Sequence, residues 1–159
     1  MSDRIDRPVT INAAFLQELK EVNQELWQTL DNVRALCGQP LSMRLHSRSL
    51  VDLLARLRDL LAMHFALEEA FGYFHHAKEV EPEMDRSAKQ LRAQHSPLYL
   101  RASELADRAE NFWRERDDAM LTAVLPVGVD QFVRDLLQHE AGENELIYRT
   151  LYESIGVAD

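Results

Sequence analysis

His64 with Glu68, and His139 with Glu143, repeat one pattern, an imidazole four residues ahead of a carboxylate. On an α-helix, residues four apart differ by roughly 40° in direction and one turn in height, so both side chains can reach one metal ion or bridge two. Spacing alone proves little, because His75 and Glu79 share it. Direction carries more weight. At about 100° per residue, Leu50, Leu53, Leu57, Leu60, Leu61 and Phe71 gather on one face of a helix over 46–79, and His64 and Glu68 fall inside that stripe. Phe132, Leu136, Leu146 and Ile147 define a face over 129–151 that contains His139 and Glu143. On the stretch 84–113 the inward set is Met84, Ala88, Leu91, Leu98, Ala102, Ala106 and Ala109, with His95 and Tyr99 among them.

A buried carboxylate costs several kcal/mol or takes up a proton unless a cation or a set of hydrogen bonds compensates it. A single inward histidine is most often a hydrogen-bonded core residue. Two glutamates and three histidines, aimed inward from three helices, compensate one another poorly as a polar core. A di-metal centre satisfies them together, because neutral imidazoles donate lone pairs while carboxylates bridge the ions and offset their charge.

The elements that must position these residues follow from pattern and breakers. The 159 residues suit one domain, 1–159, with a four-helix core. Five Gly, five Pro and abundant Leu, Ala, Glu and Arg favour an all-α chain. A first helix runs from about Thr10 to Leu36, with a stripe of Phe15, Leu16, Leu19, Val22, Leu26, Leu30 and Val33, and ends at Cys37-Gly38-Gln39-Pro40. A second begins between Ser42 and Ser49 and ends near Glu81-Pro82, since the residue before proline resists the helical region. A third spans about Glu83 to Asp117, interrupted or kinked at Pro97 or restarted by Ser96-Pro97. Pro126 and Gly128 mark a turn before the fourth.

Short links between amphipathic helices imply an up-down-up-down antiparallel four-helix bundle. Counting about 1.5 Å per residue to and from a turn near residue 81 puts His64 and His95 level to within about one turn. His75 and Glu79 fall near the bundle end, where a last-turn histidine suits the helix dipole. His46 is about 27 Å from His64 along its helix, another end residue.

A net charge of −9 argues against a nucleic-acid partner. No apolar run approaches a membrane span and the start, Met1 to Asp6, is too polar for a signal peptide. Cys37 is the lone cysteine, so no internal disulfide is expected and a cytoplasmic location is the default. Nothing in the sequence fixes the oligomeric state.

The chain resembles the hemerythrin-like, His-His-Glu cation-binding family. The residues that carry the resemblance are HFALEE (64–69), QHSPLY (94–99) and HEAGENEL (139–146), one per helix and in the family's order. Ferritin-like di-iron bundles use Glu-x-x-His, which these stripes lack. The resemblance implies a non-haem iron centre of two ions, with His64 and His139 as terminal ligands and Glu68 and Glu143 as bridges. It implies a ligand role for His95, the first histidine of the family's helix-3 His-x-x-x-His pattern. The second position of that pattern is Tyr99 here, a candidate phenolate ligand for ferric iron beside the alternative of a core tyrosine with a hydrogen-bonded hydroxyl. Helix 1 departs from the family in having no histidine, and Asn23, inside the stripe of Leu19, Leu26 and Leu30, is the best-placed substitute. Asparagine is a weak iron ligand, so one metal position is under-ligated, and the centre holds two ions, one or none. Glu69 and Glu140 flank the motifs and can hold imidazole N–H groups, with an exposed position favoured for Glu69.

The function implied is a non-haem iron protein that binds, senses or reacts with a small oxidant, namely dioxygen, peroxide or nitric oxide, in a pocket formed by residues such as Leu60, Phe71, Leu98 and Leu136. The missing helix-1 histidine and acidic surface leave open a metal-poor helical bundle that acts as an interaction or regulatory module. Iron storage within a larger assembly is a third reading, without a shell-forming surface to support it.

Overall fold

A computed structural model describes residues 13–71 and 82–156. Among them all regular structure is helical: α1 Ala13–Cys37, α2 Pro40–Leu45, α3 Ser47–Phe71, α4 Pro82–Arg114 and α5 Asp118–Gly156. The four long helices close a ring, α1 against α3, α3 against α4, α4 against α5 and α5 against α1, so every amphipathic stripe finds a partner. No helix among the described residues is long and apolar enough to cross a membrane.

The main core is built from the anticipated stripes. Leu26, Leu30 and Val33 of α1 meet Leu50, Leu54, Leu57 and Leu61 of α3, Leu98, Ala102 and Ala109 of α4, and Leu125, Phe132 and Leu136 of α5. A second, small cluster of Met84, Ala88, Leu91 and Leu146 lies further along α4 and α5. The inward histidines and glutamates fall in sequence between the two, His95 between Leu91 and Leu98 and His139 with Glu143 between Leu136 and Leu146.

At three places the structure departs from the sequence expectation or narrows its alternatives. The loop after α1 contains an additional short helix, α2, started by Pro40 at its first turn and burying Met43. Pro97 lies inside α4, which neither ends nor restarts there. Pro126 and Gly128 likewise fall within α5, so the expected turn before a fourth helix is absent. The buried run Leu121, Leu125, Val129 and Phe132 continues the inward stripe through both breakers, and that packing outweighs the one backbone hydrogen bond a proline removes. The chain instead reverses at 115–117, where Arg116 takes a positive φ of 55°. There Asp117 Oδ1 accepts the Met120 N–H at 3.1 Å and caps α5.

Two glycines bring α5 close to α4. A Cβ at Gly128 would meet Leu105 Cδ2 at 2.7 Å, and one at Gly142 would meet Leu91 Cδ2 at 2.9 Å. Gly142 immediately precedes Glu143, so the close approach falls where α4 and α5 must share side chains.

Candidate metal centre

Three helices deliver the cluster. α3 carries His64 and Glu68 one turn apart, α4 carries His95, and α5 carries His139 and Glu143; all five are between 2% and 6% exposed. Their direction follows from the stripes: each occupies a position where the helix would otherwise present a leucine to the core.

The geometry brings them into one group. His64 Nε2 is 2.7 Å from Glu68 Oε1, and His139 Nε2 is 2.7 Å from Glu143 Oε1, so each His-x-x-x-Glu pair closes on itself across one turn. His95 joins the two, with Nε2 3.3 Å from Glu68 Oε2 and 3.3 Å from Glu143 Oε1. Donor atoms of Glu68, His95, His139 and Glu143 all lie within 4.8 Å of one another, as do those of His64, Glu68, Glu140 and Glu143. Glu68 and Glu143 belong to both groups.

Outer contacts orient the rings. The His139 Nδ1 lies 2.8 Å from Gln94 Oε1 and the His95 Nδ1 lies 3.2 Å from Glu69 Oε1. With a metal at Nε2, each Nδ1–H would donate outward to these acceptors and hold its ring in orientation. Phe65 stacks on His95 at 4.0 Å between centroids and 7° between planes, and meets the His139 ring edge-on at 5.6 Å. A groove of about 550 Å³ between α4 and α5, walled by Gln94, Pro97, Leu98 and His139 among others, runs from solvent to this side of the cluster.

Electrostatics express the crowding of carboxylates. Burial works against a charged His64, but hydrogen bonds and charge from Glu140 and Glu68 prevail and push its pKa up to about 10. For His95 burial is likewise overcome, by Glu143 and Glu68 with Glu69, and its pKa rises to about 9. Glu143 is held well below the usual carboxylate range: burial opposes this, and His139 and His95 outweigh it. The cluster therefore demands positive charge at its centre.

Protons meet that demand incompletely. Buried His64 Nδ1 and Asn23 Oδ1 have no hydrogen-bond partner, while Glu68 Oε2 and His139 Nε2 make only ion-pair approaches, to His95 Nε2 at 3.3 Å and to Glu143 Oε1 at 2.7 Å. Imidazole nitrogens and carboxylate oxygens in two groups with two members in common are the donor set of a dinuclear metal centre, and unpartnered lone pairs are what an ion would satisfy. The residues present fit such a group.

The sequence of the chain matches the sequence model of the hemerythrin HHE cation-binding domain over residues 14–151. The chain belongs to the hemerythrin family. No curated protein and no solved structure gives a match.

The candidates named from the sequence fare unequally. His64, Glu68, His95, His139 and Glu143 come together. Tyr99 does not turn inward with His95: it is 36% exposed, and its phenol lies within electrostatic range of Arg58 on α3. The inward stripe of α4 steps from His95 to Leu98 and Ala102, which leaves Tyr99 on the flank. Glu69, for which an exposed position was favoured over a hold on an imidazole N–H, faces His95 while its side chain stays 35% exposed. Glu140 belongs to the donor group itself, its Oε1 3.1 Å from His64 Nε2. Asn23 is half-buried with its oxygen unpartnered. His46 is exposed at the end of α2, while His75 and Glu79, and the side chain of Phe71, lie outside the described residues. Gln94 and Phe65 were missed. Both directly neighbour a motif histidine in sequence, which was the one available signal.

Proposed function

We propose that this hemerythrin-family chain is a non-haem iron protein, with two ions held among His64, Glu68, His95, His139, Glu140 and Glu143, that binds, senses or reacts with a small oxidant such as dioxygen, peroxide or nitric oxide. The observation that carries the proposal is the sharing of Glu68 and Glu143 between two compact donor groups, since a carboxylate common to two groups suits a bridge between two ions. When bound, iron would supply the redox chemistry and the affinity for small oxygen- or nitrogen-centred ligands.

The chain's own residues do the rest. His95 and His139 present Nε2 lone pairs because Glu69 and Gln94 occupy their Nδ1 positions. Phe65, Leu61, Leu98 and Leu136 surround the cluster with apolar surface, which favours small neutral ligands over charged substrates. The groove between α4 and α5 offers their way in. The Cys37 thiol, pushed up to about 11 by burial, is kept protonated and out of the redox chemistry. In the same reading the bundle is up-down-up-down, the chain is cytoplasmic, and its charge of −9 keeps nucleic acid and anionic membrane surfaces away.

Iron per chain after aerobic, iron-replete expression tests the proposal, together with visible absorption before and after peroxide. About two iron atoms per chain and a peroxide-sensitive absorption band are expected. A folded protein that takes up no metal overturns it.

A further inference from the structure

The two donor groups differ in kind. Around His95 and His139 the donors are two imidazoles and the two shared carboxylates, all buried. Both rings there are fixed from outside, by Glu69 at 3.2 Å and Gln94 at 2.8 Å. Around His64 and Glu140 the donors are one imidazole and three carboxylates. Here the His64 Nδ1 is buried with no partner, so no outer group orients the ring from behind. The Glu140 side chain is 17% exposed, the most open of the six donors.

These differences have chemical consequences. An outer partner on a ligating imidazole fixes its orientation and raises its basicity, and losing one costs roughly 10–100-fold in metal affinity. Imidazole donors suit borderline ions such as zinc and ferrous iron, whereas carboxylates suit harder ions such as manganous. We propose that the two positions are unequal: the His95/His139 position fills first and takes a borderline divalent ion, while the His64/Glu140 position fills second and accepts a hard ion such as Mn²⁺. The two positions can thereby hold different metals when both are offered, with Glu140 the residue that makes the second position hard. This deepens the dinuclear reading above and rests on it.

The test uses the full chain stripped with a chelator, titrated with Zn²⁺ and with Mn²⁺ and followed by native mass spectrometry and Mn²⁺ electron paramagnetic resonance. Zn²⁺ should bind in two steps whose dissociation constants differ by about tenfold or more, the scale of a lost outer partner. Protein carrying one equivalent of Zn²⁺ should take up one Mn²⁺ without releasing the zinc. Glu140→Ala should keep the first zinc and lose the manganese. Two equivalent zinc steps, or manganese displacing the first zinc, would overturn the inequality while leaving a dinuclear centre intact. Loss of both metals in a folded Glu140→Ala would overturn the role of Glu140. A wild-type chain that binds no metal overturns the dinuclear reading itself, and the inequality with it.

Discussion

Gln94 Oε1 lies 2.8 Å from His139 Nδ1, across the gap between α4 and α5. With the amide oxygen accepting the imidazole Nδ1–H, Nε2 is the nitrogen that faces Glu143 and would be offered to a metal. Gln94→Ala is therefore expected to weaken metal binding about 10–100-fold with little effect on the fold, because the ring loses its fixed tautomer. Gln94→Glu, which keeps an acceptor at the same reach, should restore most of the affinity. Competition with a chromophoric chelator measures both, and an unchanged affinity in Gln94→Ala would remove Gln94 from the centre's support.

The metal-free protein should show an alkaline loss of stability. His64 and His95 have pKa values pushed up to about 10 and about 9 by their carboxylate neighbours. A histidine whose pKa is raised by folding contributes stability that is complete below its ordinary value near 6.5 and fades as pH climbs through the folded value. Glu143, held low, contributes stability present above the ordinary carboxylate value near 4.3 and lost as pH falls through its own depressed value. The melting temperature of chelator-treated protein should thus be highest between about pH 5 and 6.5 and fall steadily toward pH 10. Metal needs the imidazoles neutral, so loading at pH 7 should release protons, and loaded protein should lose much less stability above pH 7. A metal-free melting temperature that rises from pH 6.5 to 9 would contradict this charge assignment.

Phe65 holds His95 from the apolar side, stacked at 4.0 Å. Such an aromatic contact is worth about 0.5–1.5 kcal/mol beyond the area it buries. Phe65→Leu keeps most of the volume and should lower the melting temperature by roughly 1–6 °C, given about 2–4 °C per kcal/mol in a chain of this size. Phe65→Ala adds a cavity and should cost about 3–5 kcal/mol. With the stack gone in Phe65→Leu, the His95 ring gains freedom and metal should dissociate faster, which a chelator-chase experiment detects. An unaltered off-rate would show that Glu69 alone holds the ring.

Periodicity resolves some of these relationships and not others. Leu26, Leu30 and Val33, or Leu50, Leu57 and Leu61, repeat at helical spacing because each helix has one wet and one dry side, and His64 and Glu68 inherit their direction from such a stripe. Helix ends obeyed local chemistry where nothing competed, as at Pro40, but Pro126 and Gly128 were overridden by packing between Leu121 and Phe132 that no local signal records. Edge positions are hardest. Glu69, Glu140 and Gln94 lie beside the stripes, and whether they meet a histidine depends on how closely the next helix approaches, which for Gln94 and His139 is set by Gly142 against Leu91 across the α4 and α5 interface.

Tyr99 is the sharpest instance of that edge ambiguity, and it gives a direct test. One turn beyond His95, it shares that residue's direction to within about 40° on an ideal helix, close enough to be taken for a ligand. In the structure the core continues from His95 through Leu98 and Ala102, and Tyr99 is left 36% exposed on the α3 side near Arg58. A phenolate bound to ferric iron gives an intense visible absorption band that phenylalanine cannot supply. Tyr99→Phe should consequently leave metal stoichiometry, affinity and the visible spectrum of the iron-loaded protein unchanged. Its melting temperature should shift within the range usual for surface substitutions, about ±0.5 kcal/mol in stability. Disappearance of a visible band in Tyr99→Phe, with iron content retained, would return Tyr99 to the ligand set and require its side chain to swing inward on metal binding.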